Sequence, residues 1–362
     1  MKILHVVGAR PNFVKIAPLI SALNKVDPKP NQILVHTGQH YDHSMSDVFF
    51  KDLDLDRPNE HLEIGSGTHA EQTGAVMVGC ETIFKKHQPD LVIVVGDVNS
   101  TLAAALTAAK MGIKLAHVEA GLRSYDRSMP EEHNRVITDH LSDILFSPSV
   151  DASLNLQKEG IGANRIHFVG NVMIDSLIAI LPKIPPLNST NNPCLKDIQD
   201  NRYALLTLHR PSNVDNLEVI TKILENLKPL SDQMPVIFPA HPRTKKQLAN
   251  INTDHLKICE PLGYKEFLAL EAHSRLVLTD SGGIQEETTF LGVPCITIRD
   301  NTERPITITE GTNVLANPEN LLDRIQQTLK HNLPKQQAAI KFWDGNASIR
   351  IADIITSGNW RS

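Results

Sequence analysis

The chain has 362 residues, 41% of them apolar, with 36 basic and 41 acidic side chains and a formal charge of −5. That length suits two domains with proper cores, and the acidic balance excludes a nucleic-acid partner or a polybasic membrane surface on bulk electrostatics. Four cysteines (Cys80, Cys194, Cys259, Cys295) stand far apart without a CxxC pair, Ile3 to Gly8 is too short for a signal peptide, and no stretch approaches about 18 uninterrupted apolar residues. The expectation is a soluble, cytoplasmic protein with reduced thiols and no membrane insertion.

Short β-branched runs alternate with helical patterns. Residues 2–8, 32–38, 90–97, 114–121, 143–149 and 165–171 read as strands buried on both faces, with helix-like segments between them such as Ser100 to Met111. This alternation predicts a parallel sheet of right-handed βαβ units. Residues 181–193 are rich in Pro, Asn and Ser and lack a hydrophobic period, so a linker is placed over 181–200. Strand-like runs restart at 202–209, 234–241, 256–262, 274–282 and 293–300. The fold class expected is α/β, with two doubly wound Rossmann-like domains at 1–180 and 201–340 and an interdomain cleft. A helix-like tail, 341–362, can pack on either domain, with the N-terminal one preferred.

Both domains open with a strand and an Arg-Pro turn, Gly8-Ala9-Arg10-Pro11-Asn12 and Leu208-His209-Arg210-Pro211-Ser212-Asn213. In an open parallel sheet ligands bind at the carboxyl ends of strands, so both turns are expected at a ligand site. The echo is too short to establish duplication.

Three acidic residues mark the first domain. Asp97 closes one strand, Glu119 closes another, and Glu131 opens a segment read as a helix with Pro130 in its first turn. Val136, Ile137, Leu141, Ile144 and Leu145 are expected to form that segment's buried stripe, leaving Glu131 and Arg135 together on another face. Carboxylates delivered from separate elements suit proton transfer on opposite faces of a sugar ring. The plainer alternative is that Glu131 stabilises its helix terminus and Asp97 caps the next helix.

Arg10, Lys15, His209, Arg210, His241, Arg243 and Arg304 lie at strand ends, close after them or in loops, where Arg can grip phosphate bidentately. In the run Asp280-Ser281-Gly282-Gly283-Ile284-Gln285-Glu286-Glu287 a buried strand turns into a helix. Exposed N–H groups and the helix dipole favour an anion there, and glycine lets a phosphate approach the backbone. Glu287, about one turn on, is placed to accept hydrogen bonds from ribose hydroxyls. His36, His40, Asp42 and His43 match no zinc spacing, so no metal is expected. There is no Walker A motif, no GxGxxG after the first strand and no GxSxG elbow, which removes the main support for dinucleotide redox and serine hydrolase chemistry.

The blocks GARPNFVKIAPL (8–19), TGQH (37–40), GDVNST (96–101), HVEAGLRS (117–124), PEEHNR (130–135), LHR (208–210), DSGGIQEE (280–287) and RDNTERP (299–305) resemble, nearly end to end, the non-hydrolysing UDP-N-acetylglucosamine 2-epimerases. The resemblance implies a GT-B architecture, a homodimer, UDP held mainly by the C-terminal domain, no cofactor, and inversion at carbon 2 of a UDP-sugar within polysaccharide biosynthesis. Carbon 2 is not adjacent to a carbonyl. The family therefore removes its proton as UDP leaves carbon 1, giving 2-acetamidoglucal, and UDP returns as a proton arrives from the opposite face. By motif match Asp97, Glu119 and Glu131 are the implied acid/base groups, and His209 and Arg10 lie near the diphosphate, His209 counted with the catalytic set. Ser281, Gly282 and Gly283 donate hydrogen bonds, Glu287 matches the ribose ligand, and Lys15, Arg210, His241 and Arg304 complete the substrate-binding set.

The chain departs from the family pattern in two places. Gln39 to Met45 and Gly65 to Gln72 differ from the QHxxMLDQ-type and RQTL-like segments with which the regulated bacterial branch binds a second UDP-sugar, so substrate allostery is not expected. Leu208 to Asn213 lacks the Glu of the usual GHRRE-type block but keeps His209 and Arg210. Hydrolysing relatives differ at these blocks, with a RAEYG-like opening and a GDRxE-like segment. Three alternatives stay open: a 2-epimerase of a UDP-diacetamido-uronic acid, a GT-B glycosyltransferase needing an acceptor, and a non-catalytic nucleotide-sugar sensor.

Overall fold

The computed structural model describes residues 1–38, 50, 52–187, 195, 198–248, 251–330, 339–358 and 360. Gln39 to Met45, and with them His40, Asp42 and His43, lie outside these, as do Cys194 and the side chain of Arg243. The chain divides into two units, Met1–Ala179 with Lys341–Ser362, and Ile180–Ile340.

Unit 1 is built on β1 (Lys2–Val7), β2 (Asn31–His36), β3 (Glu60–His61), β4 (Leu91–Val95), β5 (Lys114–Val118), β6 (Ile144–Ser147) and β7 (Ile166–Phe168). Every pairing is parallel, in the order β3-β2-β1-β4-β5-β6-β7. β4 reads Leu-Val-Ile-Val-Val with all positions buried, the pattern of a strand covered by helices on both faces. Strand order reverses between β1 and β4, and a ligand crevice forms at such a reversal, beyond the carboxyl ends of the strands. Three helices carry side chains to that point: α1 (Arg10–Leu23) after β1, α2 (Asn99–Lys110) after β4, and α3 (Pro130–Leu141) between β5 and β6.

Helix α3 corrects the sequence expectation. Its buried residues are Glu132, Asn134, Arg135, Thr138 and Asp139. Ile137 is 43% exposed, and Ile144 and Leu145 belong to β6. The inward face is polar because it meets the ends of β4 and β5, where Glu132, Asn134, Arg135 and Asp139 each have a hydrogen-bond partner and can be buried at little cost.

The C-terminal helix Ala347–Ser357 packs on α1. Its first N–H groups, on Ala347 and Ser348, donate to the carboxylate of Asp175 at 3.1 and 2.7 Å, which supplies the cap that the helix lacks from its own sequence.

Unit 2 repeats the plan with β8 (Ala204–Thr207), β9 (Val236–Pro239), β10 (Lys257–Cys259), β11 (Leu276–Thr279), β12 (Cys295–Ile298) and β13 (Asn313–Ala316), in the order β10-β9-β8-β11-β12-β13. All pairs are parallel, and the reversal falls between β8 and β11. The helices used below are α4 (Pro211–Val214), α5 (Tyr264–His273) and α6 (Gly282–Leu291). Successive strand residues enter opposite cores: Leu206, Phe238 and Leu278 one, Leu205, Ile237 and Val277 the other, as the period of two requires. Leu195 and Ile198, from the stretch read as linker, are buried in the second of these cores.

Among the described residues Cys80 and Cys295 are free thiols, buried like Cys259, and no helix is long and apolar enough to cross a membrane.

Candidate active site

In unit 1 the reversal point is stapled by Asn12. Its side-chain oxygen accepts from the N–H groups of Gly8 and Ala9 (3.3 and 2.9 Å), and its amide donates to the Val95 carbonyl at 3.0 Å. The ends of β1 and β4 are thereby tied together. Arg10 is exposed at the start of α1. Lys15, one turn further in, is buried and pairs with Glu119, also buried.

Glu119 leaves β5 in the left-handed region, φ +74°, which costs a non-glycine residue about 1–3 kcal/mol. The turn is held because the N–H groups of Glu119 and Ala120 both donate to the Phe146 carbonyl, at 3.1 and 3.0 Å. Gly96 faces it with φ +71°. A Cβ on Gly96 would stand 3.2 Å from Lys15 Nζ and 3.4 Å from Glu119 Oε2, so the Lys15–Glu119 pair lies directly beside the backbone that leads into Asp97.

Asp97 is half-buried and pairs with Arg135, while Asn134 donates to the Asp97 carbonyl at 2.8 Å. Glu132 fixes Arg135, accepting from its Nη2 at 2.7 Å, and also binds the N–H groups of Ser124 and Tyr125, each at 2.9 Å. Burial opposes ionisation of Glu132, but these N–H donors and Arg135 outweigh it and hold its carboxyl below the usual range. Glu131 is half-buried in the first turn of α3, one turn before Arg135, and its side chain has no hydrogen-bond or ion-pair partner among the described residues. Arg10, Lys15, Asp97, Glu119 and Glu131 are therefore all at the carboxyl edge of one sheet. Two of the three carboxylates are matched to a cation there and the third is not.

In unit 2 the reversal point is organised by Asp280, which the sequence places in a phosphate turn and the structure turns inward. Its carboxylate accepts from the His209 N–H (3.2 and 3.1 Å), the Arg210 N–H (3.0 Å) and the Asn213 amide (3.1 Å). His209 Nδ1 stands 2.8 Å from the same carboxylate, and the His209 ring remains 57% exposed. Arg210 Nε donates to the Asp280 carbonyl at 2.9 Å. The Arg-Pro turn and the Asp-Ser-Gly-Gly turn thus form one assembly across β8 and β11.

Ser281 occupies the N-cap position of α6 without a side-chain cap bond, and the first N–H groups of the helix have no intrahelical acceptor. At Gly282 the absent side chain has a second consequence. A Cβ there would lie 2.4 Å from Arg304 Nη1 and 2.7 Å from Glu303 Oε1, so the missing side chain makes room for Arg304 as well as for a ligand. Arg304 is itself buried, ion-paired to Glu303 and Glu286, and supports the turn from beneath. Gly283 is half-buried in the first turn of α6. His241 is exposed after β9, the neighbour of β8.

Glu287 lies one turn deeper and is buried. Tyr264 donates to its Oε1 at 2.5 Å. Glu271, with no solvent exposure, is its acidic neighbour: burial and the charge of Glu287 push the Glu271 carboxyl well above the usual carboxylate range. Sequence reasoning missed Asn12, Glu132, Tyr264 and Glu271. Only Glu132, doubled with Glu131 in PEEHNR, left a readable signal.

Two doubly wound units, one with a carboxylate cluster and one with an anion-type helix turn, place the chain in the GT-B class of α/β proteins. The family model described as UDP-N-acetylglucosamine 2-epimerase matches residues 24–356, and the chain belongs to that family. It is 44% identical over 366 residues to a UDP-N-acetylglucosamine 2-epimerase of Methanococcus maripaludis, covering 98% of both chains. It is 40% identical over 361 residues to the UDP-2,3-diacetamido-2,3-dideoxy-D-glucuronate 2-epimerase of Pseudomonas aeruginosa, covering 98% of this chain and 99% of that one. Among solved structures, the Methanocaldococcus jannaschii UDP-GlcNAc 2-epimerase in complex with UDP-GlcNAc and UDP superposes with a TM-score of 0.89 at 42% identity, covering 99% of this chain and 100% of that one.

Proposed function

We propose that this chain interconverts UDP-N-acetylglucosamine and UDP-N-acetylmannosamine, by eliminating UDP across carbons 1 and 2 and adding it back with a proton on the opposite face. The observation that carries the reading is the set Asp97, Glu119 and Glu131 at one sheet edge, with cations on the first two and, among the described residues, none on the third. Inversion at a carbon that is not adjacent to a carbonyl needs proton exchange on two ring faces and a stabilised leaving group. Asp97 and Glu119 are paired with Arg135 and Lys15 and can take or orient a proton. Glu131 has no competing partner among the described residues and can pass one to the ring or to solvent.

The leaving diphosphate is assigned to the Ser281, Gly282 and Gly283 turn with His209 and Arg210; by motif match Arg10 belongs to the substrate-binding set. Lys15, His241 and Arg304 complete the set, and Glu287 is the ribose ligand. Its carboxylate is oriented for that task by the hydrogen bond from Tyr264. Unit 1 is then the catalytic half and unit 2 the UDP-binding half. The tie of family membership also supports a homodimer and a place in polysaccharide biosynthesis. The free, buried thiols of Cys80 and Cys295 support a cytoplasmic location.

A second substrate has a specific observation behind it, since the 40% identical Pseudomonas aeruginosa relative is named for a diacetamido-glucuronate. The same elimination applies to that sugar. Incubating the purified chain with each UDP-sugar and resolving the carbon-2 epimers by proton NMR separates the two. Conversion of UDP-N-acetylglucosamine supports the first reading; conversion of the uronate alone replaces it. UDP release that requires an acceptor would instead indicate a glycosyltransferase.

A further inference from the structure

Two of the assigned carboxylates sit on separate turns, Gly96-Asp97 after β4 and Glu119-Ala120-Gly121 after β5. One side chain bonds toward both. His117, on β5 and without solvent exposure, sends its Nε2–H to the Gly96 carbonyl at 2.9 Å. Its Nδ1 lies 2.6 Å from Asp139 Oδ1. The other Asp139 oxygen accepts from the Gly121 N–H at 3.0 Å and from Arg123 Nη1 at 2.7 Å. Arg123 is held in turn by Glu159, with Nε–Oε1 at 2.8 Å and Nη2–Oε2 at 2.7 Å, and Asn155 donates to the Gly121 carbonyl at 3.0 Å.

Asp139 already receives a backbone N–H and a guanidinium, so it acts as a carboxylate acceptor. Burial alone would raise its pKa, yet His117 and Arg123 outweigh that and lower it. The two ring nitrogens thus bond toward the two turns, one directly and one through Asp139. His117 is therefore a rigid two-ended strut between the turns, buried in a dry site where such bonds are strongest.

We infer that His117, braced by Asp139 and Arg123, is a positioning residue that fixes the spacing of Asp97 and Glu119 for the epimerisation. This rests on the functional reading above. It assigns a role to HVEAGLRS and to the inner end of α3 that proton transfer does not use directly. Neither His117 nor Asp139 is exposed to a substrate, so the effect must act through geometry. A displacement of about 1 Å at a reacting group costs on the order of 10²-fold in rate.

The test compares the full-length wild type with H117F, which loses both bonds, and H117Q, which keeps one donor toward Gly96. Active sites are counted by UDP binding, and kcat, KM and the thermal midpoint are recorded for carbon-2 epimerisation. The expected result is a kcat per UDP-binding site about 10²-fold lower in H117F, a smaller fall in H117Q, and KM within roughly threefold in both. If H117F does not fold, H117Q carries the comparison. Folded variants that turn over within about threefold of the wild type, or that lose activity only through KM or through the fraction folded, overturn the inference. A wild type that exchanges no proton at carbon 2 removes the functional reading and the inference with it, whereas an active wild type with unaffected variants removes the inference alone.

Discussion

His209 holds its Nδ1 2.8 Å from a carboxylate oxygen of Asp280, a side chain with no exposure of its own. The pairing joins the two strand ends at the reversal point of unit 2 and leaves the outer face of the His209 ring toward solvent. Asp280 is held below the usual carboxylate range: burial opposes ionisation, but His209, the Arg210 N–H and Asn213 outweigh it.

A carboxyl depressed in the folded state contributes stability that is full above its unfolded value of about 3.9 and is lost as pH falls through the folded value. Asp280→Asn is therefore expected to be less stable than the wild type near about pH 7, with the gap closing below about pH 4. Chemical unfolding of both proteins across that range checks it. A gap of equal size at about pH 3 would contradict the account.

Lys15 and Glu119 form an ion pair with side chains 8% and 4% exposed. Removing one member strands a buried charge, at a cost of about 3–5 kcal/mol. Lys15→Met is expected to lower the melting temperature of unit 1 by about 6–20 °C, and the double variant K15M/E119Q to recover most of that loss. A double variant no more stable than K15M would show that the charge pairing is not the cause.

Gly282 opens α6, where alanine would ordinarily favour the helix by about 1 kcal/mol. Its Cβ would enter the Arg304 guanidinium at 2.4 Å, and Arg304 is pinned by Glu286 and Glu303. Gly282→Ala is accordingly expected to destabilise by about 1–3 kcal/mol and to weaken UDP binding in calorimetry. A stabilised variant with unchanged UDP affinity would remove Arg304 from the support of the turn.

Among the described residues Glu131 carries no partner and Glu119 carries a buried one, which separates activity from stability. Glu131→Gln is expected to melt within about 1 °C of the wild type while kcat falls by about 10²–10⁴-fold. Glu119→Gln should lose both activity and stability. Thermal melts alongside kcat for the two variants decide, and a large loss of stability in E131Q would point to a structural role for that residue.

The sheets were legible because β4 and β11 are continuous apolar runs, which only doubly covered strands produce. The two-residue β3 and the short, polar-headed β13 carry no period and escaped. Helix α3 misled because Val136, Ile137 and Leu141 mark an apolar stripe that the fold does not bury as a unit, burying the charged face instead. The carboxylates at strand ends could be read from position alone. Their partners could not. Arg135 on Asp97, Lys15 on Glu119 and Glu271 on Glu287 are tertiary pairings between segments that no local pattern connects. The same holds for Asp280, whose place in a glycine-rich turn suggested a ligand outside rather than His209 beside it.

The central claim is proton exchange at carbon 2 coupled to loss and return of UDP. The chain is incubated with UDP-N-acetylglucosamine in D₂O and followed by proton NMR. The expected result is a carbon-2 proton signal that disappears into deuterium as a mixture with UDP-N-acetylmannosamine forms, and an exchange that is abolished in Asp97→Asn although UDP still binds. A wild type that binds UDP yet leaves the carbon-2 proton in place, with this sugar and with the diacetamido-uronate alike, would contradict the account.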